Sequence, residues 1–153
     1  MTLAWRICRR PFADLSGEGA RLIGGRWNSP GRGVVYASND AALAVLEVRV
    51  HLDLDFSLLP ADYVLMTIDL DDLLVERLDV LPADTVAFGD AWLASWRSPV
   101  LSVPSAIVPE SRDLLLNVAH PDAQRARIAS IRSFSFDDRL WRAGAAKPTA
   151  LNR

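Results

Sequence analysis

The chain has 153 residues, a mass of 16.8 kDa, 50% hydrophobic residues and a mean hydropathy of +0.13, which is enough to bury a full core and excludes extended disorder. A formal net charge of −2 and a pI near 5.6 argue against a general binder of nucleic acid or anionic membranes, and the single cysteine, Cys8, excludes an internal disulfide. No apolar stretch approaches the roughly 20 residues that cross a bilayer, and the N-terminus lacks a signal-peptide pattern, so we expect a soluble cytoplasmic protein.

The first half of the chain predicts two strands and a helix. Residues 3–7, LAWRI, are typical of a strand, and residues 12–28 predict a long loop with one helical turn. Residues 33–38, GVVYAS, have the glycine start and β-branched content of a second strand. A helix is predicted over residues 40–52, with Ser38 or one of the next two residues as its N-cap.

The second half is predicted less regularly. Residues 62–70 predict a strand with a continuation over 73–80, and residues 88–97 predict a helix with Trp92 and Trp96 on one side. Two prolines in residues 100–109 allow only an edge strand or a strand with a bend. A last helix over residues 120–131 and a closing strand over 132–141 complete the prediction.

Strands dominate this series, and helices intervene irregularly. That pattern favours an α+β fold over a doubly wound parallel sheet. Without a repeat or linker, we predict one compact, strand-rich domain over residues 1–142, followed by a flexible tail over residues 143–153.

Glu47 is the most informative residue of the predicted helix. At helical spacing it shares a face with Leu43 and Val50, and this face should point inward. An unpaired carboxylate there is unfavourable or acquires a raised pKa. Two explanations stay open: a buried ion pair with Arg6 or Arg26, or a carboxylate at the wall of a pocket that meets a developing positive charge.

Arg26 follows a Gly-Gly pair in the stretch GGRWN. The glycines let the backbone bend closely around a ligand, and a guanidinium offers a planar fork that matches phosphate oxygens. The chain has neither GxGxxG nor GxxxxGK[ST], so a Rossmann fold or P-loop does not explain an anion site here. The structural alternatives are a loop arginine that binds carbonyl groups and, for Tyr36, a tyrosine of the core or sheet edge.

Two further groups of residues offer weaker chemistry. His51, Asp53 and Asp55 lie in HLDLD but share a side only in a strand, and here they end a helix, so we predict no metal site. Ser105 lacks the Gly-x-Ser-x-Gly elbow of a hydrolase nucleophile. Its place between two prolines still suits a hydroxyl that points into a cleft.

Together these residues resemble the RES-domain family of bacterial toxins, which is named for an arginine, a glutamate and a serine. The matching stretches occur in the family's order between Trp5 and Trp141: GGRWNSPGRGVVYAS, AALAVLEVRVHL, VPSAIVP, LLLNVAHPD and FDDRLW. One departure is PESRD, where relatives commonly have an asparagine after the acidic residue. The resemblance implies a fold similar to ADP-ribosyltransferases such as diphtheria toxin.

The resemblance also implies that the protein consumes NAD as a substrate. It assigns the family arginine to Arg26, the glutamate to Glu47, the serine to Ser105 and an active-site tyrosine to Tyr36. Arg6 lies at a second position that is often arginine, so which arginine dominates phosphate binding stays open. Nicotinamide in NAD is already a cationic leaving group, and its departure leaves an oxocarbenium-like ribose.

On this mechanism each residue has a predicted role. Glu47 stabilises the ribose cation and holds a ribose hydroxyl, while Arg26 clamps the pyrophosphate. Tyr36 stacks on or orients the nicotinamide ring, and Ser105 forms a hydrogen bond to the ribose or the amide. The implied partner is a cognate antitoxin, usually with an Xre-type helix-turn-helix, which occludes the active site in a hetero-oligomeric complex.

Several functions are compatible with these residues. Transfer of ADP-ribose to water or phosphate makes a glycohydrolase or a phosphorylase, and we favour this breakdown of NAD. Transfer to a protein side chain makes a mono-ADP-ribosyltransferase. A non-enzymatic module that binds a nucleotide or a partner protein, and a metal-dependent nuclease that uses HLDLD, are the hypotheses from other classes.

Overall fold

A seven-stranded mixed sheet organises the chain, which the computed structural model describes from residue 2 to residue 141. The order across the sheet is β4-β5-β6-β2-β1-β3-β7, with β4 and β5 parallel and the other neighbours antiparallel. The strands are β1 (Leu3–Arg9), β2 (Val34–Ser38), β3 (Tyr63–Asp69), β4 (Val75–Arg77), β5 (Val100–Pro104), β6 (Arg112–Asn117) and β7 (Arg127–Ser133). The predicted α+β class is confirmed. The predicted tail over residues 143–153 lies outside the described residues.

Three α-helices accompany the sheet within residues 2–141: α1 (Glu18–Ile23), α2 (Ala41–Arg49) and α3 (Thr85–Ser95). Asp40 caps α2, because its carboxylate accepts from the amides of Ala42 at 2.8 Å and Leu43 at 3.1 Å. Short 3-10 helices complete the structure at Arg10–Phe12, Phe56–Leu58, Pro121–Arg125 and Asp138–Trp141. In this described part, no helix is both long and apolar enough to cross a membrane.

The sheet narrows between β1 and β2. These strands meet at one residue pair, Trp5 with Ser38, whereas β1 pairs with β3 along its whole length from Leu3 to Arg9. The sheet therefore divides into a β4-β5-β6-β2 half and a β1-β3-β7 half. Helix α2 begins three residues after Ser38 and packs against β1, so it covers the junction between the halves.

Side chains alternate between the two faces of the sheet. On β1, Ala4 and Cys8 pack into one hydrophobic cluster, while Trp5 and Ile7 pack into another with α2. On β2, Tyr36 shares the buried cluster around Trp92 of α3. One face of the sheet therefore carries α2 and α3, and that face positions the candidate site.

Two segments of the second half of the chain differ from the structure predicted for them. Residues 73–80 do not continue β3; they cross to the far edge, where Val75–Arg77 form β4 beside β5. This pairing leaves β5 inside the sheet, and the predicted bend follows it at Ser105. Trp92 is fully buried, but Trp96 ends α3 in a left-handed conformation and is 48% exposed, so the two rings do not share one side.

The predicted last helix over residues 120–131 is also wrong. Only Pro121–Arg125 are helical, as a 3-10 helix, and Arg127–Ser133 form the edge strand β7 against β3. Pairing with β3 overrides a weak local preference for helix, which is common for amphipathic edge segments. The predicted strand over residues 132–141 shrinks accordingly to its first two residues, and its end is the 3-10 helix Asp138–Trp141.

Candidate functional site

The Arg26 loop, residues 24–29, presents a guanidinium at the protein surface. Gly25 and Asn28 pair through their backbones, with N–O distances of 3.0 and 3.4 Å, so Arg26 lies at the tip of a tight turn. The Tyr36 hydroxyl accepts from the Trp27 amide at 3.0 Å and donates to Asn28 Oδ1 at 2.6 Å. A Cβ atom at Gly25 would lie 2.7 Å from that hydroxyl, which explains the glycine.

Asn28 completes the internal bonding of this loop. It is 2% exposed, and its amide nitrogen donates to the carbonyl oxygens of Ala20, Ser29 and Arg32 at 3.0–3.3 Å. Burial raises the pKa of Tyr36 to about 12, so its phenol keeps the proton that it donates to Asn28. Tyr36 and Asn28 thus hold the loop through hydrogen bonds between neutral groups.

Helix α3 also holds the Arg26 loop, through Thr85 and Asp90. Thr85 Oγ1 donates to the carbonyl oxygen of Arg26 at 2.7 Å. Asp90 accepts from the Ser29 amide at 2.9 Å and from the Ser29 hydroxyl at 2.6 Å. Two of these three bonds fix the backbone of the loop, the third fixes the Ser29 side chain, and none of them involves the Arg26 side chain.

Gly89 lets α3 approach this closely. A Cβ atom at Gly89 would lie 1.7 Å from the carbonyl oxygen of Trp27, so no other residue fits here without moving the loop. Trp27 is itself 3% exposed and packs edge-on against Phe88, with 6.1 Å between ring centroids.

Glu47 lies half-buried on α2 and is held by Ser105. The Ser105 hydroxyl donates to Glu47 Oε1 at 2.9 Å and accepts from the amides of Ile107 at 3.0 Å and Val108 at 3.1 Å. Ser105 is fully buried, immediately after β5. Its hydroxyl has no exposed surface for the predicted hydrogen bond to a ligand, and its contacts are those of a residue that orients Glu47.

Neither arginine forms the ion pair considered for Glu47. Among residues 2–141, no arginine or lysine nitrogen lies within 4.0 Å of a Glu47 carboxylate oxygen. The inward stripe also ends earlier than predicted, because Leu43 is buried while Val50 is 57% exposed. The geometry favours a carboxylate at the wall of a site.

The structure separates the two candidate arginines. Arg26 is close enough to the site to lower the pKa of Asp113 through its charge, and in the described part of the chain its guanidinium has no hydrogen-bond partner. Arg6 shares the β1 face of Ala4 and Cys8, opposite to α2, and interacts with the Cys8 thiol. Arg26 and Glu47 therefore both act on Asp113, whereas Arg6, the predicted second phosphate ligand, lies on the other face of the sheet.

Asp113 is a site residue that the sequence analysis missed. It lies on β6 directly opposite Ser38 of β2, and the Ser38 hydroxyl donates to Asp113 Oδ1 at 3.2 Å. Burial, followed by the hydrogen bond and the charge of Glu47, raises the pKa of Asp113 to about 7, against smaller lowering effects of Ser38 and Arg26. The departure from the family pattern at PESRD was the available signal for this residue.

The remaining acidic and histidine residues do not assemble a second centre. His51 Nδ1 lies 2.8 Å from the Glu47 carbonyl oxygen, while Asp53 and Asp55 are exposed. Within residues 2–141, no group of three or more His, Cys, Asp or Glu side chains is arranged to hold a metal ion.

Two cavities lie away from these charged groups. One of about 360 Å³ is lined by residues including Leu116 and His120, and one of about 300 Å³ by residues including Tyr63 and Phe136. Their linings are largely apolar and include neither Arg26 nor Glu47. We identify the site by its converging charged and polar groups, since these supply the chemistry.

Comparisons with known proteins identify the family of the chain. The sequence model of the RES domain matches residues 3–137. The chain is similar to the Prs ADP-ribosylating toxin of Sphingobium sp. (strain YBL2), with 39% identity over 159 residues that cover 92% of this chain and 98% of the relative. It is also similar to Toxin Res of Pseudomonas putida (strain KT2440), with 38% identity and coverage of 91% and 99%.

A solved structure shares the fold. A chain in the crystal structure of the M. tuberculosis MbcT–MbcA toxin–antitoxin complex superposes with a TM-score of 0.72. The alignment covers 87% of this chain and 84% of that chain, at 23% sequence identity. At this identity the likeness establishes the architecture.

Proposed function

The chain belongs to the RES domain family, and on that premise we propose that it is a toxin that cleaves the bond between nicotinamide and ribose in NAD. One observation carries the proposal: Glu47, oriented by Ser105 and without a cationic partner in residues 2–141, and the exposed guanidinium of Arg26 both act on the carboxyl of Asp113, so they belong to one cluster. This pair offers a carboxylate to a sugar cation and a guanidinium to a phosphate.

The bond that breaks is the N-glycosidic bond from ribose C1′ to the pyridinium nitrogen. Its electron pair leaves with nicotinamide, which becomes neutral, and the positive charge moves to the ribose. Glu47 stabilises this charge, so no general acid is needed for the leaving group. Water or phosphate then attacks C1′, and a proton is released to solvent if the acceptor is water.

The other residues take supporting roles. Arg26 clamps the pyrophosphate through its bidentate fork, and the rigid loop beneath it limits the entropy lost on binding. The ring of Tyr36 borders the nicotinamide, while its hydroxyl stays in the loop. Ser105 orients Glu47 from inside the protein.

A second candidate is transfer of ADP-ribose to a protein side chain. The name of the Sphingobium relative, an ADP-ribosylating toxin, favours it. Cleavage of the glycosidic bond is the same in both reactions, so the residues above keep their roles and only the acceptor differs.

We further propose that an antitoxin restrains this activity in the cytoplasm. The relative of known structure was crystallised in a toxin–antitoxin complex. An acidic or C-terminal carboxylate segment of an Xre-type antitoxin, entering beside the exposed Arg26, would occlude the pyrophosphate site. Co-expression should yield a stable complex without NAD turnover, and a complex that turns over NAD at the rate of the free protein excludes occlusion.

The decisive experiment incubates the purified protein with NAD and a chelator, and measures release of nicotinamide by chromatography. ADP-ribose as the second product identifies a glycohydrolase. A phosphorylated ADP-ribose formed only with phosphate identifies a phosphorylase, and label transferred to added cell protein identifies a transferase. Absence of turnover supports a binding module, and cleavage of nucleic acid only with metal supports a nuclease.

A further inference from the structure

Asp113 has no role in the chemistry above, yet it lies within the same cluster. Residue pairing between β2 and β6 sets it opposite Ser38, whose hydroxyl donates to Oδ1 at 3.2 Å. The Ser105 amide donates to the Ser111 carbonyl oxygen at 2.9 Å, which brings the Ser105–Glu47 pair next to the segment that leads into Asp113. At this closeness Glu47 acts on the Asp113 carboxyl through a hydrogen bond and through its charge. Glu47 is therefore contacted by two groups from different parts of the chain, the buried hydroxyl of Ser105 and the carboxyl of Asp113.

A hydrogen bond between two carboxyl groups needs one proton. The charged groups that act on Asp113 are Glu47 on α2 and Arg26 on its loop, while Ser38 and Ser105 contribute neutral hydroxyls. Because two adjacent carboxylates repel, the proton is retained to a higher pH than on an isolated aspartate. Arg26 opposes this effect only in part, as the pKa of Asp113 remains near 7.

We propose that Asp113 is a positioning residue for Glu47: its carboxylic acid donates a hydrogen bond that holds the Glu47 carboxylate in place, and its ionisation removes that bond. Of the two groups that hold Glu47, the Ser105 hydroxyl is independent of pH and the Asp113 acid is not. The effect on catalysis rests on the proposed cleavage of NAD. The proton shared by Asp113 and Glu47 is a property of the two carboxyl groups and does not depend on that reaction.

The proposal sets the direction of the pH dependence. Below about pH 7 the proton is present on Asp113, and Glu47 is held from both sides. As the pH rises through this value, Asp113 ionises, and repulsion displaces the Glu47 side chain from the ribose site. We expect kcat to fall as the pH rises through about 7, while KM changes little because Arg26 is unaffected.

The first experiment compares pH profiles of nicotinamide release. Asparagine can donate the same hydrogen bond but cannot ionise. Asp113→Asn should therefore retain most of the kcat that the wild type shows below pH 7, and this kcat should not fall as the pH rises through 7. Asp113→Ala lacks the donor, so it should lose about tenfold or more in kcat below pH 7, where the wild type has the hydrogen bond, and it should show no fall near pH 7. Asp122→Asn, an exposed aspartate on the 3-10 helix, is the matched control and should keep the wild-type profile.

The second experiment does not depend on activity. The Asp113 carboxyl carbon is followed by ¹³C NMR from pH 4 to pH 9 in the wild type and in Glu47→Gln. We expect titration near pH 7 in the wild type and at lower pH in Glu47→Gln, because the negative charge opposite Asp113 is gone.

The pH profile of kcat and the NMR titration separate the proposed NAD cleavage from the proposed positioning role of Asp113. If the protein does not turn over NAD but Asp113 titrates as expected, the cleavage reaction is wrong and the shared proton stands. Titration of Asp113 near its ordinary value of 3.8, or titration unchanged by Glu47→Gln, overturns the positioning role. An unaltered fall in kcat in folded Asp113→Asn overturns it as well.

Discussion

The two charged halves of the site are built in opposite ways. The Arg26 loop is held through its backbone and through neutral side chains such as Tyr36 and Asn28, so the guanidinium takes no part in the fold. The Glu47 half is held through the functional carboxylate itself, by Ser105 and Asp113. In the Arg26 loop, the groups that hold the structure differ from the group proposed to bind the ligand. In the Glu47 half, the same carboxylate does both.

This difference predicts how each half responds to substitution. Around Arg26, removing a supporting group leaves buried hydrogen-bonding atoms unpaired and should lower stability, whereas removing the guanidinium should not. Around Glu47, removing a charge relieves repulsion between carboxyl groups and should leave stability intact while activity falls. The predictions below test this contrast, from the largest expected effect to the smallest.

Glu47→Gln is expected to have the largest effect. Glutamine keeps the shape and can still accept from Ser105, but it cannot stabilise a ribose cation. Nicotinamide release should fall by about two orders of magnitude or more, with NAD affinity retained. The melting temperature should stay the same or rise, since repulsion with Asp113 is removed.

All three quantities are measured on one preparation. Glu110→Gln, an exposed glutamate before β6, serves as the control and should behave as the wild type. A melting temperature that drops sharply in Glu47→Gln would show that the carboxylate is structural. Release of nicotinamide near the wild-type rate would exclude it from catalysis.

Arg26→Ala is expected to lose less activity than Glu47→Gln. A charge-assisted hydrogen bond to phosphate contributes about 1.5–3 kcal/mol, so kcat/KM should fall roughly ten- to a hundredfold. Arg26→Lys should recover only part of this, because an ammonium cannot form the bidentate contact. Thermal melting should be unchanged, since the guanidinium has no hydrogen-bond partner within residues 2–141.

Arg32→Ala provides the control, because Arg32 is exposed on the same glycine-rich segment. It should retain wild-type kcat/KM. If Arg26→Lys is as active as the wild type, then Arg26 provides only a general positive charge, and the phosphate clamp must be sought elsewhere.

Tyr36→Phe tests the support of the loop. Loss of the hydroxyl leaves the Trp27 amide and Asn28 Oδ1 without their partner, which should lower the free energy of unfolding by about 1–3 kcal/mol. KM for NAD should rise as the loop loosens, with a smaller change in kcat. Denaturant unfolding of Tyr36→Phe and Tyr63→Phe gives the comparison, as Tyr63 packs in an aromatic cluster and should change stability by less than about 0.5 kcal/mol.

The parts of this site that could be predicted are local in sequence. Strand β2 and helix α2 follow from β-branched residues, the cap at Asp40 and helical spacing, and together they place Tyr36 and Glu47. The glycine pair before Arg26 also indicated a tight approach, which is now seen against the Tyr36 hydroxyl.

The parts that could not be predicted depend on strand pairing. Ser105 meets Glu47 across 58 residues of sequence, and its complete burial, which favours support of Glu47 over contact with a ligand, does not follow from its place in the sequence. Asp113 enters the site only because β6 pairs with β2 in a register that sets it opposite Ser38. Arg6 lies outside the site because side chains alternate along β1, and its own side chain is on the face of the sheet opposite to α2.

The smallest effect on catalysis is expected of Asp113→Asn, and the pH dependence of its stability isolates the proton on Asp113. Its pKa is about 7 in the folded protein and near 3.8 when unfolded, so between these values the folded state holds a proton that the unfolded state has lost. Stability from this group is therefore present below about pH 4 and is lost as the pH rises to about 7. Asp113→Asn should remove this loss, which the difference between the folded and unfolded pKa values puts at no more than about 4 kcal/mol between pH 4 and pH 7.

Urea unfolding of wild type, Asp113→Asn and Asp122→Asn between pH 4 and pH 8 measures the effect. Carboxylates with lowered pKa values, such as Asp14 and Asp62, give the opposite slope at low pH, but they are common to all three proteins and cancel in the difference. The difference between Asp113→Asn and wild type should grow from pH 4 to pH 7 and then stay constant, while that of Asp122→Asn should remain flat. A difference that is constant across the range would mean that Asp113 ionises at its ordinary pKa, and that the Glu47 half is held as independently of pH as the Arg26 loop.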